Sequence, residues 1–143
     1  MTYPTEITLP FADGRYRFFL PMAQVNELER GGQSILQLEF HLREGIGVGA
    51  DGNAFYAGTA TTDAAPIREI IRLALIGGDS AMIEGVESGV GPQRARELLD
   101  AYVYPARPLA EAAALAWRIL GAAIYGNEPA DSSESKQPEP ASV

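Results

Sequence analysis

Hydrophobic residues are densest in residues 108–126, where Glu111 and Arg118 are the charged side chains. At 100° per residue, Glu111, Arg118 and Tyr125 fall on one narrow stripe of the predicted helix. The opposite, broad face carries Leu109, Ala113, Ala116, Trp117, Leu120 and Ile124. A membrane span needs about 20 apolar residues, and this charge-bearing stretch is shorter. The pattern therefore predicts a central core helix that other elements cover on most sides.

Two short apolar and aromatic runs flank an Asp-Gly pair in residues 6–21. Asp-Gly is typical of a two-residue turn, so these runs predict an N-terminal β-hairpin in which Ala12 pairs with Arg15. This register places three apolar pairs on one face: Phe11 with Tyr16, Leu9 with Phe18, and Ile7 with Leu20. Pro10 has no backbone N–H to donate, so its strand is predicted to lie at a sheet edge.

Four further helices are predicted from apolar residues that recur every three or four positions. They cover residues 21–30, 34–43, 66–78 and 92–104. Ser34 and Gln37 have the spacing of a capping box at the start of the second of these helices. Glycines end the first three helices, and Pro105 ends the fourth. Each helix has an apolar stripe that can cover the central helix.

Residues 81–90 are compatible with two local structures, a hairpin that turns at Glu84 and Gly85 or an irregular helical turn. The hairpin is favoured because Val86 and Val90 do not complete a helical stripe. A second short hairpin is therefore predicted, with the helical turn as the alternative.

Glycines punctuate residues 45–63, which are predicted to form a connector. Its G-x-G-x-G spacing lacks the preceding strand and the Lys-Ser/Thr that a nucleotide-binding loop needs. Asp51 and Asn53 match the first ligands of a calcium loop, but Phe55 stands at the third ligand position and no Glu follows at the twelfth. Both motifs are rejected. Phe55 and Tyr56 are predicted to clip the connector onto the core, with an exposed contact as the alternative.

These elements together predict a single α+β domain, mainly α, over residues 1–126. In this fold the N-terminal β-hairpin packs on a bundle of about five helices, with the second short hairpin beside them. Residues 127–143 contain four acids and one lysine among prolines and serines. That composition predicts a disordered acidic C-terminal tail.

Side chains that commonly perform catalysis or bind metals are scarce. The chain has no cysteine and a single histidine, His41, which excludes disulfides, thiolate metal sites and cysteine nucleophiles. Two carboxylate pairs, Glu84 with Glu87 and Asp63 with Glu69, are interpreted as solvated charge at the ends of elements. No catalytic, cofactor-binding or metal-binding residue is predicted, and the sequence favours a binding or assembly protein over an enzyme.

Net charge limits the classes of partner. The chain has 11 Lys and Arg against 19 Asp and Glu, a formal net charge of -8, which argues against binding along a nucleic-acid backbone. Its first residues, MTYPTEITL, do not resemble a basic and apolar secretory leader. We therefore expect a cytoplasmic protein that binds neither nucleic acid nor membrane.

Four segments resemble the small tail protein family of gene transfer agents, which is encoded among prophage-like tail genes. They are LPFADGRYRF (9–18), VNELER (25–30), IREIIRLALIGG (67–78) and GPQRARELLDAYVYPARPLAEAAALAWRILGAAIYG (91–126). The resemblance implies a tail assembly chaperone that coats the tape-measure protein before the tail tube polymerises and is absent from the finished particle. A structural tail-tube component is the alternative, and a protein-binding adaptor unrelated to tails is the second alternative.

The chaperone role implies apolar, reversible grooves between helices for a client helix. The candidate partner-binding residues are Tyr102, Tyr104, Leu109, Leu115 and Tyr125. The first three lie near the prolines that join the last two helices, where aromatic side chains are good anchors. The implied partner is the tape-measure protein, with the tail-tube protein in second place and a homo-oligomer left open. Simple packing in the core is the alternative for each residue.

Overall fold

Five α-helices and six β-strands make up the described part of the computed structural model, residues 4–58 and 63–126. In chain order they are β1 (Glu6–Phe11), β2 (Gly14–Phe19), α1 (Met22–Glu29), α2 (Ile35–Arg43), β3 (Ile46–Val48), β4 (Ala54–Tyr56), α3 (Ala64–Gly78), β5 (Ala81–Ile83), β6 (Val86–Ser88), α4 (Pro92–Tyr102) and α5 (Leu109–Tyr125). The fold is 50% helical and 20% strand, so the predicted α+β class with an N-terminal hairpin and five helices is confirmed. The predicted tail, residues 127–143, lies outside the described residues.

α5 is a central helix of the core, and α2, α3, β1 and β4 all pack against it. Its buried side chains are Ala112, Ala113, Ala116, Ile119, Leu120 and Ala122. Of the predicted exposed stripe, Glu111 and Tyr125 are exposed and Arg118 is partly exposed. Leu109, Trp117 and Ile124, which the pattern places on the buried face, are only partly buried. Among the described helices, none is long and apolar enough to cross a bilayer.

α3 packs against both β2 and α5, and its last turn shows why two glycines end this helix. The sequence predicts Gly77 and Gly78 as a helix stop. In the structure both are the last residues of α3 and lie against β2. A Cβ atom on Gly77 would overlap the carbonyl oxygen of Phe19, and one on Gly78 would overlap that of Arg17. The glycines therefore allow α3 to approach the backbone of β2, and the helix is capped one residue later.

Four strands form an antiparallel sheet in the order β1-β2-β5-β6, so the edge position predicted for the Pro10 strand is confirmed. The predicted register is wrong by two residues, because Phe11 pairs with Gly14 and Leu9 with Tyr16. Side chains alternate between the two faces of a strand, so a shift of two residues leaves each on its predicted face. The apolar face of the hairpin is therefore retained with different partners.

The observed register moves Gly14 out of the predicted turn and into β2, beside β5. Ala12 and Asp13 form the turn, with Ala12 in the left-handed region at φ 54°. Gly14 lies within β2, where a Cβ atom would overlap the carbonyl oxygen of Met82 in β5. Glycine at this position thus allows β5 to lie close to β2. The Asp-Gly pair predicts a turn but does not predict this contact between strands.

The second predicted hairpin is confirmed. β5 and β6 pair with Ile83 opposite Val86. The turn residues Glu84 and Gly85 have φ values of 52° and 80°, as expected for a tight hairpin turn with positive φ at both central positions. The alternative of a helical turn is therefore wrong.

A third hairpin, formed by β3 and β4, was not predicted in the glycine-punctuated connector. Its strands have three residues each, too few to show a clear alternation. The Asp51 carboxylate accepts hydrogen bonds from the backbone and side chain of Asn53, each at 3.0 Å, which stabilise the loop and lower the pKa of Asp51. β4 packs on α5, but the side chains of Phe55 and Tyr56 are exposed. The prediction that these two side chains clip the connector onto the core is therefore wrong, and the alternative of exposed side chains holds.

Candidate partner-binding site

A groove of about 400 Å³ opens between the turn that joins β1 to β2 and the link from α4 to α5. We call it the tip groove. It is lined by Pro10, Phe11, Ala12, Tyr102, Val103, Arg107, Pro108, Glu111, Ala112 and Leu115. All of these except Arg107 and Glu111 are apolar or aromatic. The groove therefore suits an apolar side chain that has polar groups beside it.

Phe11 forms the wall that the hairpin contributes. Its ring lies edge-on to the rings of Tyr16 and Phe18, with 5.6 Å between centroids in each pair. The Tyr102 ring lies 6.3 Å away on the groove side. Edge-to-face contacts hold aromatic rings in a preferred orientation. Because Tyr16 and Phe18 are buried, these contacts connect the groove to the core.

Arg68 of α3 anchors the opposite wall. Its guanidinium donates hydrogen bonds to the carbonyl oxygens of Tyr104 and Leu99, the latter at 3.4 Å, and to Asp100 Oδ1 at 3.1 Å. The link that it holds includes a cis peptide bond between Tyr104 and Pro105. The α4–α5 link is therefore fixed to the core by a side chain from a third helix.

Arg107 and Glu111 supply the charged rim of the groove. Arg107 donates from Nε to Oε1 and from Nη2 to Oε2 of Glu111, each at 3.1 Å. This bidentate pairing raises the pKa of Arg107. The two side chains are 56% and 54% exposed, so water screens the pair and competes for both groups. The rim can therefore rearrange when another charged group approaches.

The structure brings together two of the five predicted partner-binding residues. Tyr102 and Leu115 line the tip groove. Tyr104 is exposed on the link but is not part of the lining, and Leu109 is partly buried against the core. Tyr125 lies on α5 about 15 Å along the helix axis from Leu115. The candidate site therefore centres on Tyr102 and Leu115, and the other three residues lie apart from it.

Phe11 and Arg107 are groove residues that the sequence did not identify. Phe11 was predicted only as part of the hairpin's apolar face, although its position next to a turn places it at the end of that face. Arg107 stands four residues before Glu111, the spacing at which opposite charges pair along a helix. That spacing was the available signal for the rim, but it does not indicate which groove the pair borders.

A second polar cluster centres on Glu39 of α2, whose side chain is only 3% exposed. Its carboxylate accepts hydrogen bonds from Arg43 Nε and Nη2 at 3.1 and 3.2 Å, from Trp117 Nε1 at 3.1 Å and from the Tyr125 hydroxyl at 3.2 Å. A buried carboxylate needs such donors to offset its lost hydration. The cluster therefore joins α2 to α5 and explains why Tyr125 lies away from the groove.

One member of each acidic pair considered from the sequence has another partner. Glu87 accepts a hydrogen bond from Ser80 Oγ at 3.2 Å, and Glu69 forms an ion pair with Arg72. Over residues 4–58 and 63–126, no group of three or more His, Cys, Asp or Glu side chains could hold a metal ion.

No family model, curated protein or solved structure matches the chain.

Proposed function

We propose that this protein is an assembly chaperone for a phage-like tail and that it binds an apolar helical segment of the tape-measure protein in the tip groove. The observation that carries the proposal is the groove itself, an open cavity of about 400 Å³ with a largely apolar lining. Its lining includes Tyr102 and Leu115, two of the residues that their positions in the sequence make candidate anchors for a client. A chaperone has to cover apolar surface of its client and later release it, which an open groove allows.

The edge of β1 favours a helical client over an extended one. β1 is an outer strand of the sheet, but Pro10, which borders the groove, has no N–H to offer a partner strand. An extended segment would lack a main-chain hydrogen bond at this point. A helix satisfies its own backbone and needs only side-chain contacts, so we expect anchors spaced three or four residues apart on one helical face.

The charged rim favours a reversible complex. Arg107 and Glu111 are more than half exposed at the rim, where each can keep part of its hydration when a client contacts it. A basic or acidic client residue beside the apolar anchor can pair with Glu111 or Arg107 at the rim, where neither charge becomes buried and unpaired. Such contacts give orientation without the stability of a permanent interface.

The balance of helix and sheet supports a chaperone over a tail-tube subunit. A tube subunit needs an extensive sheet to build a continuous ring. The six described strands exceed the four that two hairpins would contain, but each is only three to six residues long. Helices make up 50% of the structure, which suits helix-on-helix contacts with a client better than ring formation.

Co-expression with the tape-measure protein from the same gene cluster tests the proposal. We expect the tape-measure protein to become soluble and to co-purify with the wild-type chain. A tape-measure protein that stays insoluble, with nothing co-purifying, would refute the chaperone role. Recovery of the chain within assembled tail tubes would instead support the tube alternative.

Two variants connect this result to the tip groove. Tyr102→Ala removes an aromatic wall, and we expect recovery of the tape-measure protein to fall by about tenfold, the effect of losing a well-packed anchor. Val86→Ala is the matched control, because Val86 is likewise exposed but lies on β6, outside the lining. Equal recovery with both variants would place the client elsewhere on the surface. A melting temperature close to that of the wild type in each variant would show that the fold is intact.

A further inference from the structure

A hydrogen-bonded network joins the β1–β2 turn to the first turn of α4. The Tyr16 hydroxyl donates to Asp13 Oδ1 at 2.5 Å. Arg94 Nη2 donates to Asp13 Oδ2 at 3.1 Å and to the Tyr16 hydroxyl oxygen at 3.4 Å. Arg94 Nη1 also lies 3.7 Å from Glu97 Oε1 on the same helix. Because the Tyr16 side chain is completely buried, its hydroxyl depends on these protein partners.

The network reaches the tip groove through two neighbouring residues. The Tyr16 ring contacts the ring of Phe11, and Asp13 directly follows Ala12 in the turn. Both Phe11 and Ala12 line the groove. Ala12 has φ 54°, a left-handed conformation that is unfavourable for alanine. The turn that forms one wall of the groove therefore depends on contacts from outside the hairpin.

α4 is the element that can set the width of the groove. It carries Arg94 near its first residue and ends at Tyr102, which lies on the groove side of Phe11. Arg94 lies 81 residues from Asp13 and 78 from Tyr16 in the sequence, so its contacts report the tertiary fold and not local hairpin preference. One helix thus holds the turn at one end and presents a groove side chain at the other.

We propose that Arg94 is a positioning residue for the tip groove. Arg94 holds the β1–β2 turn against α4 and so fixes Phe11 at the distance from Tyr102 that a client helix needs. This inference rests on the proposed function, because it takes the groove as the client site. Arginine suits the task because one planar guanidinium bridges two acceptors. The guanidinium is charged at any working pH, and the hydrogen bond with Tyr16 further raises the pKa of Arg94.

The test compares Arg94→Met with Arg96→Met in the full chain. Both replace an arginine of α4, but Arg96 is exposed and lies outside the network. The first measurement is amide hydrogen exchange at Gly14 and Tyr16, which pair with β1 beside the turn. Val86, which pairs with Ile83 in the β5–β6 hairpin, is the internal reference. The second is the affinity for the tape-measure protein of the same gene cluster.

We expect Arg94→Met to speed exchange at the β1–β2 turn by about fivefold, the effect of losing a partly exposed charged contact, and to weaken the affinity by a similar factor. Arg96→Met should change neither quantity. Arg94→Lys keeps the charge but not the planar bridge, so it should fall between Arg94→Met and the wild type. Comparable melting temperatures of the three variants would separate positioning from a general loss of stability.

Unchanged exchange at the turn in Arg94→Met would overturn the positioning role. Faster exchange with unchanged affinity would also overturn it, while leaving the proposed function intact. If the wild-type chain has no affinity for the tape-measure protein, the proposed function fails, and the link between Arg94 and client binding fails with it. The two proposals are therefore refuted by different results.

Discussion

At the scale of single residues, Glu39 shows that a charged residue can be buried and can connect two helices, here α2 and α5. It follows Leu38 in α2, where Ile35, Leu38 and Leu42 recur at helical spacing and form one apolar stripe. The pattern alone places a glutamate outside that stripe, in water. Trp117 and Tyr125 approach from α5 with two hydrogen-bond donors, and these donors make the burial of the carboxylate tolerable.

The Glu39 cluster predicts that Trp117→Phe destabilises the fold. The variant removes the indole N–H and leaves a buried carboxylate with one donor fewer, so we expect a loss of about 1–3 kcal/mol in the free energy of unfolding. Urea denaturation measures this change. Tyr125→Phe removes an exposed donor to the same carboxylate and should cost less. Equal losses, or no loss with Trp117→Phe, would contradict the role given to the buried hydrogen bond.

Tyr16 predicts a decline in stability at alkaline pH. Burial, followed by the hydrogen bond to Asp13, raises the pKa of Tyr16 above its ordinary value of 10.0. Below pH 10 the Tyr16 phenol is protonated in both the folded and the unfolded chain, so its full contribution to the free energy of unfolding is present. As the pH rises further, the unfolded chain loses the proton first, so stability falls until the folded-state pKa is passed.

Urea denaturation from about pH 9 to about pH 11 measures this pH dependence. We expect the free energy of unfolding to fall less steeply with pH in Tyr16→Phe than in the wild type. Tyr56→Phe, at an exposed position, serves as the control and should keep the wild-type slope. A slope that is identical in Tyr16→Phe and the wild type would show that Tyr16 does not couple ionisation to unfolding.

At the scale of elements, close approach between backbones decides the role of several glycines. Gly14 and Gly78 each lie where a Cβ atom would overlap a backbone carbonyl oxygen of another element. The sequence alone accounts for Gly14 as part of the Asp-Gly turn and for Gly78 as the end of a helix. The packing of β5 on β2 and of α3 on β2 gives them a second, tertiary role.

Two alanine substitutions within helices test this role. Gly78→Ala would push a methyl group into the backbone of Arg17, so we expect a loss of about 1–3 kcal/mol in the free energy of unfolding. At Gly121 a Cβ atom would meet no other atom within 4 Å. Gly121→Ala should therefore be neutral or should stabilise α5 by up to about 1 kcal/mol through helix propensity. Chemical denaturation of the two variants compares them directly, and a stabilising Gly78→Ala would refute the packing argument.

At the scale of the whole molecule, the described core extends from Tyr16 to Ala122. The composition of residues 127–143 offers little apolar surface to add to it. We therefore expect a chain that ends at residue 126 to melt within about 2 °C of the full chain, since a shift of that size corresponds to a small change in free energy. Calorimetry of the two chains measures this difference. A large drop would mean that the stable domain extends beyond residue 126.

Much of the fold could be predicted because its signals are local. Proline positions, glycine stops and apolar spacing located the five helices, and turn residues located two of the three hairpins. β3 and β4 were missed because three residues are too few for a strand period to emerge. Within the candidate site, Tyr102 was predicted from its position near the prolines that join α4 to α5, and Leu115 from its place at the outward edge of the core helix. Phe11 and Arg107 were missed because their importance depends on which elements meet at the tip groove.

The sequence by itself determined which segments become helices and hairpins and which face of each is apolar, because these properties depend on residues a few positions apart. Only the tertiary structure decided the pairing of Phe11 with Gly14, the burial of Glu39 and the bridge from Arg94 to the β1–β2 turn. Each of these depends on groups from elements far apart in the chain, whose distances no local pattern specifies. The tip groove belongs to this second class, since it exists only where the hairpin, α4 and α5 meet.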